Sequence, residues 1–444
     1  MTDWLADHPD ISTIRIAASD LNGIARGKRM PATMADKAIK GSMRFPLSVL
    51  NVDILGEDIE DSPLLFASGD PDGVLQPTER GFMPVPWLDT PTAILPVWMY
   101  HDDGSAFDGC PRQALARVVG QLAQRDLHPT VGTELEFYLV DDSGDELRPP
   151  PSPRTGKRRS GAQILSLGAL DAFDAFFTDL YAGAAAMGIP AEAAISESGP
   201  GQFEITLGHV SDALRAADDA WFFKILIRGL ARKHGFAASF MAKPYVDLAG
   251  TGFHTHISLL DGKGRNIFDN GGAEGTAALQ HALAGCLNAM PGCGLIWAPH
   301  ANSYDRLVPG AHAPTGVAWA YENRTVAVRV PGGSPKARRL EHRVAGGDTN
   351  PYLVLAAVLG AMLAGIEDAE PPPPPVTGNA YDLDLTGIPD NWEEATSRFA
   401  RDPLVRRIFP RELVANLLAT KRQEMSKLAE WSPEDLTNHY LDIV

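Results

Sequence analysis

The run Arg339-Leu340-Glu341-His342-Arg343 sets two guanidinium groups on either side of a carboxylate at two-residue spacing. In an extended chain alternate residues share a face, so Arg339, Glu341 and Arg343 point one way and Leu340 and His342 the other. Such a face can simply be solvated. It can also be a pocket wall with a cation on Glu341 and anions on the arginines, because guanidinium forks suit carboxylate and phosphate groups. The chain repeats the theme. Glu134 and Glu136 alternate within Gly132-Thr133-Glu134-Leu135-Glu136-Phe137, as do His254, His256 and Ser258 further on, and Glu197 and Glu204 flank the turn Gly199-Pro200-Gly201. A single Glu-x-Glu is ordinarily a wet strand face, and a lone His-x-His is ordinarily structural. Their recurrence beside Arg306, Arg324, Arg329, Arg338, Arg339 and Arg343 points elsewhere. Carboxylate-rich, sulfur-poor sites suit hard divalent ions such as Mg²⁺ or Mn²⁺. Anions clamped by arginine and bridged by such ions point to phosphoryl transfer. No Gly-x-x-x-x-Gly-Lys-Ser/Thr run is present, which disfavours a P-loop enzyme.

The elements that must position these groups are legible from periodicity and breakers. Thr130 to Val140, Gln202 to Leu207, Lys243 to Leu260 and Ser334 to Arg343 read as strands. Helices are expected from Pro111 to about Arg125, with proline in the first turn, and from Asp171 to Met187. Others are expected from Asp212 to His234 (closed by Gly235), Gly275 to Met290 and Asn350 to Glu367. The opening region reads as short strands, with Ile11 to Ile16 and Thr92 to Val97 rich in β-branched residues and a turn at Asp20-Leu21-Asn22-Gly23. The polar stretch Asp102-Asp103-Gly104-Ser105 marks a boundary, giving units 1–105 and 106–444. Arg148 to Arg154 must be a loop, Pro371 to Pro375 a stiff exposed linker, and Asp390 to Glu430 a largely helical tail.

Composition narrows the class. With 444 residues the chain exceeds one ordinary core, and 44% apolar with 21% charged residues is globular. A formal charge of −17 argues against nucleic acid as a partner. Three cysteines, Cys110, Cys286 and Cys293, fall in no metal spacing and suit a reducing compartment. Met1-Thr2-Asp3-Trp4 shows no secretory pattern. The most apolar run, Tyr352 to Ile366, is short for a bilayer and reads as a buried helix. A cytoplasmic protein without a membrane partner is expected.

The motifs also carry a resemblance. Gly132 to Phe137, Gly201-Gln202-Phe203-Glu204, Gly252 to Leu259, Arg306-Leu307-Val308-Pro309-Gly310, Asn323-Arg324 and Pro335 to Arg343 resemble, in order and spacing, the successive signatures of the glutamine synthetase family. The resemblance implies an α+β fold, with a small N-terminal β-grasp-like domain beside a larger catalytic domain of antiparallel strands and helices. It implies ATP as cosubstrate, Mg²⁺ or Mn²⁺, and a homo-oligomer of stacked rings (a dodecamer), with the C-terminal Trp431 to Val444 reaching another ring. By the same resemblance Glu136, Glu197 and Glu204 would hold one metal, and Glu134, His254 and Glu341 the other. Arg306 and Arg343, with Gly250 and Glu136, would bind glutamate. Glu192, His256, Ser258, Arg329, Lys336 and Arg339 would lie at ATP, with Arg324 catalytic at the phosphates. The implied reaction passes from glutamate through γ-glutamyl phosphate to a γ-glutamyl amide.

The departures concern the amine end. Where ammonium-using members carry a glutamate two residues after the Arg-Leu-Val-Pro-Gly run, this chain has His312, and a neutral imidazole supplies no negative charge. The family's aspartate in an Asp-Gly-Ser-Ser segment has no counterpart, Asp53 being the positional candidate, and the asparagine of the Asn-Gly-Ser-Gly loop is Ala249. His312 and Asp53 complete the candidate catalytic set. The pattern is similar to the γ-glutamylpolyamine and γ-glutamylputrescine synthetase branch, which implies a polyamine or small primary amine as partner to glutamate. Asp53, Glu57, Asp58, Glu60 and Asp61 are a solvated acidic loop or an attractor for a polycation. Trp319 or Tyr321 can serve a cation–π contact or the core. An ammonium-using glutamine synthetase and a silent oligomeric member are the alternatives, the latter disfavoured by a full set of metal-ligand positions.

Overall fold

The computed structural model describes residues 2–65, 68–144, 146–161, 164–311 and 313–444. Its strands form two sheets. The first holds β1 (Thr13–Ser19), β2 (Ala25–Pro31), β3 (Met43–Pro46), β4 (Asp72–Pro77), β5 (Met83–Pro84) and β6 (Thr92–Tyr100), in the order β2-β1-β6-β4-β3 with β5 on β6. β1 and β6 pair in parallel at its centre and the outer strands antiparallel. β1 starts two residues later than expected and runs on to Ser19. Ladders on both sides hold Ala17 extended and the β2 ladder holds Ala18, although alanine has little strand preference of its own. Ile14, Ile16, Leu95, Val97 and Met99 bury one face together with Met30, Phe45 and Leu75. The helices α1 (Thr2–Asp7) and α2 (Ala35–Ile39) lie in this part of the chain.

The second sheet holds β7 (Leu127–Val140), β8 (Ala191–Ser196), β9 (Gln202–Val210), β10 (Ala237–Ser239), β11 (Phe253–Asp261), β12 (Trp319–Tyr321), β13 (Val328–Val330) and β14 (Leu340–His342). Its order is β12-β13-β14-β11-β7-β9-β8, with β10 also on β7. It is antiparallel except for the β12–β13 pair at one edge. Two expected strands are shorter than the pattern suggested. Lys243 to Gly252 is irregular, and the strand begins at Phe253. Pro335 opens a 3₁₀ turn over Pro335–Ala337, so only Leu340–His342 joins the sheet.

Helices α3 (Pro111–Ala123), α4 (Leu167–Asp171), α5 (Asp174–Ala186), α6 (Ala213–Lys233), α7 (Ala277–Ala289), α8 (Gly294–Trp297) and α9 (Pro351–Asp368) belong to the larger part. So do α10 (Trp392–Arg401), α11 (Pro403–Ile408), α12 (Arg411–Leu428) and α13 (Pro433–Ile443). The Asp212 side chain caps α6 by accepting from the backbone of Arg215. α9 is apolar on every side and packs against α3, α6 and α7. Burying a Leu or Val stabilises by roughly 1.5–3 kcal/mol, against at most about 0.7 kcal/mol for helix propensity, so burial sets its place. Its composition would suit a membrane span, yet 83% of it is buried inside the fold. α7 and α9 touch backbone to backbone where Gly285 meets Gly365. A Cβ on Gly285 would stand 2.0 Å from the carbonyl oxygen of Ala361.

Two tail segments make contacts that the sequence does not specify. The proline run is held in place, because the Trp319 indole donates to the Pro373 carbonyl at 2.7 Å. α13 packs on its own chain, where Tyr440 is fully buried, its ring 5.3 Å from that of His300. The Val444 carbonyl accepts from Phe240 at 3.4 Å.

Candidate active site

Strand register gathers the chemistry onto one face of the second sheet. Glu134 and Glu136 share a face of β7. Across the antiparallel ladders His254 lies opposite Glu134, Glu204 opposite Glu136, and Glu341 opposite both His256 and Arg329. Directly opposed residues of an antiparallel pair hold their Cβ atoms about 4.5–5.5 Å apart on one face. A row Glu204, Glu136, Glu134, His254, His256, Glu341, Arg329 therefore follows from pairing alone.

The side chains close that row. The Glu134 carboxylate meets His254 Nδ1 at 3.1 Å and His256 Nε2 at 2.8 Å. Arg339 Nε donates to His256 Nδ1 at 3.2 Å. Glu341, almost fully buried, accepts from Arg329 Nη1 at 2.9 Å and from Arg343. Ligand atoms of Glu134, Glu204 and His254 lie within 4.8 Å of one another, and so do those of Glu134, His256 and Glu341.

Electrostatics shows what this cluster requires. Burial, then the neighbouring Glu136, pushes the Glu197 carboxyl up to about 7. Glu204 is raised as well, by burial and by Glu134, Glu136 and Glu197. Glu134 goes the other way. Burial opposes its ionisation, but the bonds from His254 and His256 outweigh it. Carboxylates gathered without enough positive charge hold on to protons, and a divalent ion would release them. Carboxylate oxygens with imidazole are donors that such an ion accepts, so the residues fit it.

Beside this cluster lies the Arg306 guanidinium. Arg306 is buried, donates to the Val344 carbonyl at 2.7 Å, and is lowered in pKa by that burial. A Cβ on Gly252 would stand 2.9 Å from His254 Nε2, 3.1 Å from Arg306 Nη2 and 3.2 Å from Glu136 Oε1. One on Gly250 would strike the Arg306 stem at 2.8 Å. Glycine at both positions lets loop, arginine and carboxylate touch.

The catalytic-domain profile of the glutamine synthetases matches residues 108–438. The chain belongs to the glutamine synthetase family. It is similar to the gamma-glutamylputrescine synthetase PuuA of Escherichia coli (strain K12), with 38% identity over 95% of this chain and 90% of that one. It is also similar to the glutamate–isopropylamine ligase of a Pseudomonas species, with 32% identity over 100% and 97%. The solved GmaS/ADP complex superposes with a TM-score of 0.85 and 27% identity over 99% of each chain. Its enzyme class is that of the glutamate–amine ligases.

Within that family frame, the structure brings Glu134, Glu136, Glu204, His254, His256, Arg306, Arg329, Arg339, Glu341 and Arg343 together. Glu197 is within electrostatic reach, as is the exposed Arg324. The two close ligand groups share Glu134 and include His256, a different division from the one the resemblance implies. The Ser258 hydroxyl donates to the Arg338 carbonyl at 2.8 Å. Lys336 is exposed on the turn before β14, and Glu192 is exposed on the edge strand β8 beside Gly208. Asp53 is buried and accepts from Lys427 and Gln423 of α12, each at 2.8 Å, and from the backbone of Leu55 and Glu57. Glu57, Asp58, Glu60 and Asp61 do not share that burial. His312 lies outside the described residues. Trp319 is a buried residue tied to Pro373, and the Tyr321 hydroxyl donates to Glu274, so both serve packing.

Sequence reasoning passed over Tyr138, Gln202 and His209. Tyr138 continues the Glu134, Glu136 alternation and pairs with Gln202 across the ladder. Gln202 stands two residues before Glu204, so the same alternation reaches it. The His209 ring lies 6.1 Å from that of His256. A bulge in the β7–β9 pairing near Val131 and Thr133 breaks the register there, and simple alternation does not find His209.

Proposed function

We propose that this chain is an ATP-dependent γ-glutamyl–amine ligase whose amine is a polyamine or a small primary amine in place of ammonium. The observation that carries it is the contact at Gly252, where Glu136, His254 and Arg306 converge, coupled with an amine end that has His312 where ammonium-using relatives have a carboxylate. The similar PuuA and glutamate–isopropylamine ligase support an organic amine.

Arg306 and Arg343 hold the glutamate carboxylates as fixed guanidinium forks, and Glu136 beside them receives the ammonium group. Arg324, Arg329, Lys336 and Arg339 neutralise the triphosphate, with Glu192, His256 and Ser258 at the nucleotide. Two divalent cations, Mg²⁺ or Mn²⁺, one held by Glu136, Glu197 and Glu204 and the other by Glu134, His254 and Glu341, would supply charge neutralisation for phosphoryl transfer. A γ-carboxylate oxygen attacks the terminal phosphorus and ADP departs. The amine nitrogen then attacks the acyl carbon of γ-glutamyl phosphate, phosphate departs, and the nitrogen loses a proton. Burial of Arg306 and Arg343 strengthens their hold, since low dielectric increases each charge interaction. The charge of −17 favours approach of a polycation.

The same reading divides the chain into units 1–105 and 106–444, supported by the start of the profile match at residue 108. It places active sites between subunits of stacked rings in the cytoplasm, where three buried free cysteines stay reduced. The test is glutamate- and ATP-dependent phosphate release with putrescine, spermidine, ethanolamine, isopropylamine and ammonium at matched concentrations. Release with an organic amine and little with ammonium is expected, and His312→Glu should move the preference toward ammonium. Ammonium as the best substrate would overturn the reading.

A further inference from the structure

Gln202 sits at the start of β9, almost fully buried, and each end of its amide is occupied. Its Oε1 accepts from the Gly199 backbone at 2.9 Å, which fixes the amide orientation. Its Nε2 donates to the Gly250 carbonyl at 2.9 Å and, at a longer 3.5 Å, to Glu136 Oε2. The Tyr138 hydroxyl lies 2.8 Å from the Ala249 carbonyl and 3.1 Å from Gln202 Oε1. It has one proton for two acceptors, and the shorter contact takes it. Glu136 Oε2 also accepts from the Gly252 backbone at 2.9 Å. The loop from Ala249 to Gly252 is thus tied at three backbone groups to Tyr138, Gln202 and Glu136, while Gly250 and Gly252 press against Arg306.

We propose that Gln202 is a positioning residue that couples the Glu136 carboxylate to the 249–252 loop, so that cation binding and glutamate binding strengthen one another. The inference rests on the ligase reading above, which puts the cation and glutamate on either side of Glu136. A cation that fixes Glu136 fixes the acceptor for the Gly252 backbone and for Gln202 Nε2, and so steadies the loop at Gly250 and Gly252, where it packs on Arg306. Glutamate on Arg306 acts back along the same bonds, because coupling between two sites is reciprocal. Tyr138 steadies the loop at its first carbonyl.

The test titrates L-glutamate into the full-length protein, without ATP or amine, at zero and at saturating Mn²⁺, by calorimetry. Wild type should bind glutamate on the order of tenfold more tightly with the ion, within the usual range of couplings. Gln202→Leu should lower that ratio severalfold, the direct bond from the Gly252 backbone to Glu136 carrying the remainder. Tyr138→Phe, which removes one oxygen, should lower the ratio and leave thermal stability near wild type. In steady state both should raise KM for glutamate and leave KM for ATP within about twofold, a split that general destabilisation does not produce. Variants that keep the wild-type ratio, or a wild type whose glutamate affinity ignores Mn²⁺, would overturn the proposal. A wild type that shows the coupling yet turns over no amine would overturn the ligase reading and leave this one standing.

Discussion

Lys427 Nζ lies 2.8 Å from the Asp53 carboxylate, joining α12 to a loop 374 residues earlier in the chain. The carboxylate has no solvent exposure, and both of its oxygens are used. Burial alone would raise the Asp53 pKa, but the bonds from Lys427, Gln423 and Glu57 outweigh it and hold it below the ordinary aspartate value. A depressed carboxyl adds stability above its unfolded pKa and loses it as pH falls through the folded value. Asp53→Asn should therefore cost about 1–3 kcal/mol at pH 7 and flatten the loss of stability below about pH 4. Urea unfolding measures both. KM for the amine should stay within about twofold, and a large rise would return Asp53 to the amine site.

Gly252→Ala puts a methyl group within 3.2 Å of His254, Arg306 and Glu136. A displacement of about 1 Å at reacting groups lowers rates on the order of a hundredfold. We expect that loss in kcat/KM for glutamate, with a melting temperature close to wild type. Full activity in the alanine variant would show that Arg306 and Glu136 do not meet glutamate here.

Cation affinity should climb with pH. Glu197 is pushed up to about 7 and Glu204 is raised too, so the ion must displace protons below neutrality. One displaced proton gives roughly a tenfold change in apparent affinity per pH unit. Calorimetry with Mn²⁺ at pH 5.5, 6.5 and 7.5, in two buffers of different ionisation enthalpy, reads the affinity and the proton count. An affinity independent of pH would contradict the carboxylate cluster.

His342 is buried beside the Trp297 ring, 4.4 Å between centroids. Burial, then the nearby His254, lowers its pKa to about 3. Between there and the ordinary value of 6.5 the unfolded chain binds a proton that the native state refuses. Stability then rises with pH across this window, and acidification removes it. His342→Phe, measured with saturating Mn²⁺ to hold the neighbouring carboxylates ionised, should reduce the slope by up to about 1.4 kcal/mol per pH unit. An unchanged slope would assign the acid sensitivity to other groups.

Local sequence carried much of this. The alternation of Glu134 with Glu136 and of His254 with His256 put each pair on one strand face, and Pro111 and Gly235 marked helix ends close to those observed. It failed where long-range contacts decide the local state. Lys243 to Gly252 has a strand-like composition, but its backbone is engaged by Gln202, Tyr138 and Glu136 and stays irregular. Pro371 to Pro375, by contrast, stays largely exposed as its composition predicts, and the fold adds only one indole hydrogen bond from Trp319.

By itself the sequence determined which side chains are available: paired carboxylates and imidazoles on strands, a concentration of arginines, and a histidine at position 312. These follow from the two-residue strand period and from residue chemistry, which need no tertiary information. Only the tertiary structure decided who meets whom. Register set Glu134 against His254, and Glu341 against both His256 and Arg329. Burial raised Glu197 and Glu204 while imidazoles lowered Glu134. The fold also assigned Asp53 to Lys427 and gave Gln202 its place between Glu136 and Gly250. Each of these is a contact between distant parts of the chain, and pairing energies of that kind are set by packing geometry that no local pattern encodes.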